Sequence, residues 1–405
     1  MANNLITPNI IAREALFMVV NMMVMGNLVN RRYSNEFNEV GDTIRVRKPV
    51  KFLTVDGPVI TGQIQSVKEN STDVTIDQNP VVPFQFEDKD MALTIGDFRE
   101  RYIIPAANAL ANRVDRSLTN LALQVPNLVG TPGTTPDDFD AVAAAAEMLD
   151  RCSTPRDGLR SLVIDPRANR MLASSFQAGF NPQDMQGQTF KNGLVKNAAG
   201  FDIYMDQNIV AHQDLVLTAP VTVNGAAQTG SVLNVTFGTP GEGYKKGAII
   251  TLPTVNKIND ISKEDTGFLQ QFVVTADVTS ALITGAAAVS IYPAIVPPAL
   301  DTPESTVTNS PITTNVVTLV TAGAVILTPV FSRQNIAFHR DAFGFVSANL
   351  RVPQGMDMAE VVSYKGVTMR FVRGFDIGTG RFISRLELLY GICTFYKDMA
   401  SRVAG

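Results

Sequence analysis

Histidine, cysteine and tryptophan are almost missing from these 405 residues: there are two His, two Cys and no Trp. A zinc site of the usual kind would need nearly all of His212, His339, Cys152 and Cys393 to converge. A disulfide framework is excluded by count, and two scattered thiols fit a reducing compartment. Charge is also scarce, with Asp, Glu, Lys and Arg at 18% of the chain. A formal net charge of −4 excludes the strongly basic surface that holds nucleic acid by neutralising phosphates. The main apolar run, Ala15 to Met25, is broken by Asn21 and falls well short of the ~20 residues that span a bilayer. The charges before it, Arg13 and Glu14, cancel, and no small-residue cleavage pattern follows, so it does not read as an export signal. It predicts instead a packed or partner-binding helix over 8–25. Thr7 would cap it, Pro8 would take its first position and Gly26 would end it. Met18, Met22 and Met25 would give that helix an adaptable contact face. The chain is expected to remain inside the cell, with no membrane partner.

Catalytic signals are missing too. There is no Gly-x-Ser-x-Gly elbow, and His212 and His339 bear no recognisable relation to a nucleophile. Gly238–Gly247 is glycine-rich and contains Lys245 and Lys246, but no Gly-Lys-Ser/Thr leads into a helix, so it reads as a turn. Asp137, Asp138 and Asp140 fall in the first turn of a predicted helix, where the macrodipole alone favours carboxylates. The expectation is a non-enzyme with no catalytic residues, no cofactor and no metal.

What is present is an ordered series of elements. Hydrophobic residues make up 45% of the chain, enough for a core, and the length suggests two or three domains. From Gly41 the pattern alternates: Ile44, Val46, Lys48 and Val50 share one parity, with Arg45 and Arg47 on the other. Val74 and Ile76, then Val82, Phe84 and Phe86, alternate again. Together the two runs predict one long two-stranded ribbon, which cannot bury both faces within its own domain. A helical region begins at Thr94 and restarts at Pro105. Ala107, Leu110, Ala111, Val114, Leu118, Leu121, Ala122 and Val125 then form an apolar stripe, with Asn112, Arg113, Asp115, Arg116 and Asn120 opposite. Thr135-Pro136-Asp137-Asp138 opens a helix bearing Phe139, Val142, Ala146 and Leu149 on its face. Asp165-Pro166 opens another, directly after the strand Ser161–Ile164.

The composition then shifts, for no arginine lies between Arg170 and Arg333. Within 219–332, β-like runs occur at Val232–Phe237, Ala248–Leu252, Leu269–Thr275, Val289–Tyr292 and Val316–Val320, separated by turn clusters. They predict a small all-β module inserted into a larger domain. In the last segment Gly366–Arg373 and Arg381–Tyr390 alternate about a Gly374–Gly380 connection, which predicts a hairpin with one apolar face.

In this order the elements resemble a tailed-bacteriophage major capsid (coat) protein, in the podovirus branch whose Hong Kong-97-type fold carries an inserted β-domain. The residues that carry the resemblance are Met1-Ala-Asn-Asn-Leu-Ile-Thr-Pro8 with its Met-rich helix, Arg31-Arg32-Tyr33, and Gly41-Asp-Thr-Ile-Arg-Val-Arg-Lys-Pro49. Near the end, Asn335–Phe343 and Arg385–Ile392 add to it. It implies an α+β chain with an N-terminal arm at 1–36 and an extended β-loop at 37–93. A peripheral domain with a spine helix at 94–134 and an axial domain at 135–218 follow. The inserted β-domain is at 219–332, and 333–405 returns to the axial and peripheral domains. It also implies the function: self-assembly into pentamers and hexamers of an icosahedral procapsid with scaffolding protein, in the host cytoplasm. The shell then expands as double-stranded DNA enters through a portal protein. Contact with DNA would be weak and non-specific, and a decoration protein is a further partner that the resemblance allows. Arg31, Arg32, Arg45, Arg47, Lys48 and Lys51 are the candidates for subunit-interface contacts, since cations there can grip a neighbour's carboxylates. The inserted module would serve as a folding aid or as surface decoration. Two other readings stay open on the residues: a non-viral shell of the same fold that encloses cargo, and a β-rich carbohydrate-binding protein built around 219–332.

Overall fold

The structure is a computed structural model that describes residues 8–33, 43–54, 69–87, 102–179, 197–299, 303–320, 323, 325–353, 358–378 and 381–404. The expectations for Thr7, Gly41, Thr94 and the tip of the extended loop lie outside the described residues. The chain divides into two compact units: Met1–Arg47 with Ser71–Thr119 and Phe343–Phe395, and Lys48–Asn70 with Asn120–Ala342 and Tyr396–Gly405.

In the first unit, helix α1 (Pro8–Met22) is followed by a single turn, α2 (Met25–Leu28), and later by α3 (Ile104–Thr119). Gly26 therefore lies inside a second helical turn and does not end the first helix. The cause is Asp115 on α3. Its carboxylate accepts from Val24 N at 2.8 Å and from Gly26 N at 3.0 Å, supplying acceptors for orphan amides where α2 begins. Asp115 is thus buried, not on the polar face where a simple helical reading puts it. The stripe itself holds: Ala107, Leu110, Ala111, Val114 and Leu118 are buried on α3, and Leu121, Ala122 and Val125, which fall in the second unit, are buried in and just after the 3-10 turn Asn120–Gln124. Met18 and Met25 are buried while Met22 is partly exposed.

α1 packs on α3 and on the first two strands of a four-stranded antiparallel sheet. Its order is Met358–Tyr364, Val367–Asp376, Arg381–Leu388 and Val81–Glu87. The expected terminal hairpin is its centre, with a register running from Met369↔Leu388 to Asp376↔Arg381. Val81–Glu87 is an edge strand, which is why Pro83 is tolerated there. This corrects the single long ribbon. Thr43–Arg47 does pair antiparallel with Ser71–Thr75, and Ile44 faces Val74. The second run, however, divides after Gln78, which bonds to Tyr390; Val82, Phe84 and Phe86 join the hairpin's sheet instead. Alternation specifies strands but not their partners, and the hairpin offered an apolar neighbour that the ribbon lacked.

The second unit contains a six-stranded sheet ordered Leu128–Val129, Ala400–Val403, Asn335–His339, Arg160–Ile164, Phe201–Met205 and Asn197–Ala198. Arg160–Ile164 is buried along its whole length, as expected for a central strand. Helices α4 (Phe139–Arg151) and α5 (Pro166–Gly179) contribute Val142, Ala145, Leu149, Ala168 and Leu172 to a core with Leu162, Ile164 and Phe201. Both openings are capped as the sequence suggests: Asp138 accepts from Phe139 N and Asp165 from Ala168 N. Phe139 departs from expectation, being 45% exposed; as the first helical residue it projects beyond the packed face.

Six strands between Val221 and Leu319 form a closed barrel. All five β-like runs fall within or overlap its strands. The sixth strand, Val221–Val223, escapes a sequence reading because three residues between Pro220 and Asn224 carry too little periodicity. Leu233, Val235, Phe237, Ile250, Phe272, Val289 and Ile291 fill the interior. Beside the barrel, Gly243 pairs with Thr279 so closely that a Cβ there would lie 1.9 Å from Val278 O. The chain leaves the sheet and returns through one narrow neck. Ala211–Gln213 pairs with Phe331–Arg333, Leu217 and Ile326 exchange bonds of 2.9 and 2.8 Å, and Val221–Val223 pairs with Val316–Leu319.

Candidate assembly surfaces

The six cations singled out from the sequence differ in what they can offer a neighbour. Arg31 is engaged by its own chain. Its guanidinium donates to Gly26 O, to Lys365 O at 2.9 Å and to Asn27 Oδ1 at 2.8 Å, and lies 5.7 Å from the Phe345 ring centre. Arg45 sits opposite Asp73 in register and bonds it at 2.9 Å, with its side chain 72% exposed; that bond raises its pKa further. Arg32 and Arg47 are exposed. These four belong to the first unit. In the second, Lys48 Nζ lies 5.5 Å from the Tyr396 ring centre and Lys51 Nζ bonds Asp260 at 3.0 Å. Burial alone would lower the Lys51 pKa, but Asp260, with Glu304 and Asp398, outweighs it and keeps the ammonium charged.

A second set of contacts, illegible in the sequence, joins the barrel to the six-stranded sheet and its helices. Gln271 on a barrel strand uses its side-chain amide as a substitute strand: Leu128 N donates to Oε1 at 2.6 Å and Nε2 donates to Leu128 O at 3.0 Å. Leu128 belongs to the sheet's edge strand, so the barrel satisfies polar groups that a bare edge would expose. Arg402, in the neighbouring strand, donates to Gly247 O at 2.7 Å and to Leu123 O at 3.1 Å. Lys257 donates to Cys152 Sγ at 2.8 Å, Tyr292 OH to Asp398 at 3.2 Å, and Arg151 stacks 3.5 Å from the Phe268 ring centre. The only sequence hint was the isolated polar Gln270-Gln271 within an apolar run.

Within this seam His212 is 7% exposed. Burial lowers its pKa, Asp214 opposes the shift, and Arg402 and Lys245 reinforce it. A histidine whose folded pKa is depressed prefers to be neutral in the native state. Its contribution to stability is therefore complete above the unfolded value of 6.5 and is lost as pH falls below it. Urea midpoints measured at pH 7.5 and again at mildly acidic pH should fall more for the wild type than for His212→Gln. Equal falls would remove His212 as the cause.

Among the described residues no group of three or more His, Cys, Asp or Glu is placed to hold a metal ion, and no helix is long and apolar enough to cross a membrane.

Comparison with known proteins places these features. A family profile described as "P22 coat protein - gene protein 5" matches residues 1–402. No curated protein matches the chain. Among solved structures, one from Mycobacterium phage Che8 is 15% identical, with 94% of this chain and 90% of that chain covered at a TM-score of 0.49. The capsid structure of the Cyanophage P-SCSP1u is 14% identical, covering 90% of this chain and 84% of that chain at 0.44. The CUS-3 coat protein I-domain is 24% identical over 25% of this chain and 96% of its own, at 0.20. The architecture is mixed α+β. Matched by the family profile over nearly its whole length, the chain belongs to the P22 coat protein family and is a structural capsid protein, not an enzyme.

Proposed function

We propose that this major capsid protein closes an icosahedral shell of pentamers and hexamers around double-stranded DNA. Assembly proceeds with scaffolding protein in the host cytoplasm, and the shell expands as the genome enters through a portal protein. The observation that carries this reading is the family match across residues 1–402. The net charge of −4 supports weak DNA contact, suited to a wall past which the genome must slide. In this reading residues 1–36 act as an arm and 37–93 as a loop laid on a neighbour, with α3 as the spine of the peripheral domain. Electron microscopy of the protein expressed alone and with its scaffold partner tests it. Closed round particles or curved sheets of uniform lattice are expected, and dispersed subunits under every condition would overturn it.

Arg32, Arg45 and Arg47 are exposed, and we assign them to contacts between subunits; Arg31 braces its own chain. Reversing the charge at Arg45 and Arg47 together should leave a folded subunit that fails to close shells. Normal shells from that double variant would remove the assignment. For the barrel, the seam supports the folding-aid role over surface decoration, because Gln271 completes a sheet edge that would otherwise be unpaired. Deleting 219–332 should therefore give insoluble chains. Soluble subunits that assemble normally would leave decoration as its role.

A further inference from the structure

The seam holds a cluster of polar side chains with atoms that no contact described so far satisfies. His212, Asp214, Tyr244 and Arg402 are 7%, 3%, 2% and 1% exposed. Five of their atoms have no hydrogen-bond partner among the described residues: His212 Nε2, both carboxylate oxygens of Asp214, Tyr244 OH and Arg402 Nε. Several observations place them around one space. His212 Nδ1 lies 3.6 Å from Asp214 Oδ1, beyond a direct hydrogen bond. A Cβ on Gly247 would lie 3.1 Å from the His212 ring, and Arg402 bonds the carbonyl of that same glycine. The charge of Asp214 raises the pKa of Tyr244, although burial contributes more. Burial likewise lowers the Arg402 pKa to about 9, and Asp214 opposes the shift.

A buried carboxylate without a donor is costly, and so is a buried guanidinium N–H without an acceptor. Neither group can relieve the other directly, because no bond joins them. We propose that these four side chains enclose a buried solvent site in which ordered water bridges Asp214 to Arg402, Tyr244 and His212. The chemistry favours water over an ion. Arg402 opposes a cation, Asp214 opposes an anion, and the pair is together neutral. The orphan set also mixes donors, Tyr244 OH and Arg402 Nε–H, with the acceptors of Asp214. Only a species that both donates and accepts serves them all. At about three hydrogen bonds per buried water, about two molecules suffice. The site lies where the chain crosses from the sheet into the barrel, so the bridged pair would join the neck, the barrel and the C-terminal strand at one point. It does not depend on the proposed role in DNA packaging.

A density map of the assembled shell, at a resolution that shows ordered water, tests the proposal. A solvent peak within hydrogen-bond range of an Asp214 oxygen and of either Arg402 Nε or Tyr244 OH is expected. Direct protein donors to both Asp214 oxygens with no such peak would overturn it, as would a peak with metal-ion coordination. Thermal unfolding of the subunit gives a second readout. Asp214→Leu strands Arg402 and should lower the midpoint by about 6–20 °C. Adding Arg402→Met should recover at least half of that loss. Tyr244→Phe, which removes one donor and little volume, should fold normally and lose about 2–4 °C together with its solvent contact. An unchanged midpoint in both Asp214→Leu and Tyr244→Phe would also overturn the proposal.

Discussion

Glu387→Ala is expected to destabilise the first unit by about 3–5 kcal/mol, the cost of leaving one member of a buried ion pair without its partner. Glu387 is 1% exposed and stands directly opposite Arg370 in the terminal hairpin. Arg370 Nε donates to its Oε2 at 2.9 Å, a second guanidinium nitrogen donates to the same oxygen, and the Arg370 side chain is only 13% exposed. Removing the carboxylate strands that guanidinium on the sheet face it shares with Thr368 and Val372, both buried, opposite the face of Met369, Phe371, Leu386 and Leu388. Arg370→Met combined with Glu387→Leu should recover most of the loss, because two apolar side chains of similar volume can replace a buried pair. Urea unfolding of the subunit checks both variants. A single variant within about 1 kcal/mol of the wild type would show that Arg370 escapes to water, and its bond to Arg351 O at 2.5 Å marks the route it would take.

Gly391→Ala should be as damaging, for a steric reason. A Cβ there would lie 2.2 Å from Thr75 O, closer than any real contact, and the obstacle is backbone that cannot rotate aside. The short Ser71–Thr75 strand would have to move off Tyr390–Thr394. That displacement would break the two bonds between Gln78 and Tyr390, of 3.1 and 2.9 Å. The expected loss is about 2–4 kcal/mol, comparable to overpacking plus two broken backbone bonds. Faster amide exchange at Gln78 and Tyr390 would accompany it. A variant with wild-type exchange at both amides would show that the strand tolerates the shift. Because the displaced strand holds the base of the proposed extended loop, such a variant should also form fewer closed shells.

How much of this was legible in the sequence depends on whether the signal was local. Caps and periodicity are local: Asp138, Asp165, the α3 stripe and the hairpin from Val367 to Leu388 all lie where the pattern put them. Pairing is not local. Nothing in Val82-Pro-Phe-Gln-Phe86 says that its partner is residue 381–388 and not the strand before it. Buried polar residues were the least visible. Helical spacing groups Asp115 with the polar side opposite the stripe, and only a second helix reveals its role. Arg402, Asp214 and Gln271 carry no motif, since each is defined by what it meets across the seam. The candidate cations illustrate the reverse difficulty: charge on an alternating strand predicts exposure well, but not whether the partner is the same chain or a copy.

The neck of the barrel has a consequence for how such a coat can change over generations. The first and last barrel strands, Val221–Val223 and Val316–Leu319, are neighbours, and the stem beneath them is a short antiparallel pair of rungs. Seen from the sheet, a module of about a hundred residues occupies no more room at its point of attachment than a tight hairpin would. An insertion of that kind can lengthen or exchange its outer loops at one locus while the stem keeps its geometry, provided the strand that carries Gln271 and its bonds to Leu128 are retained.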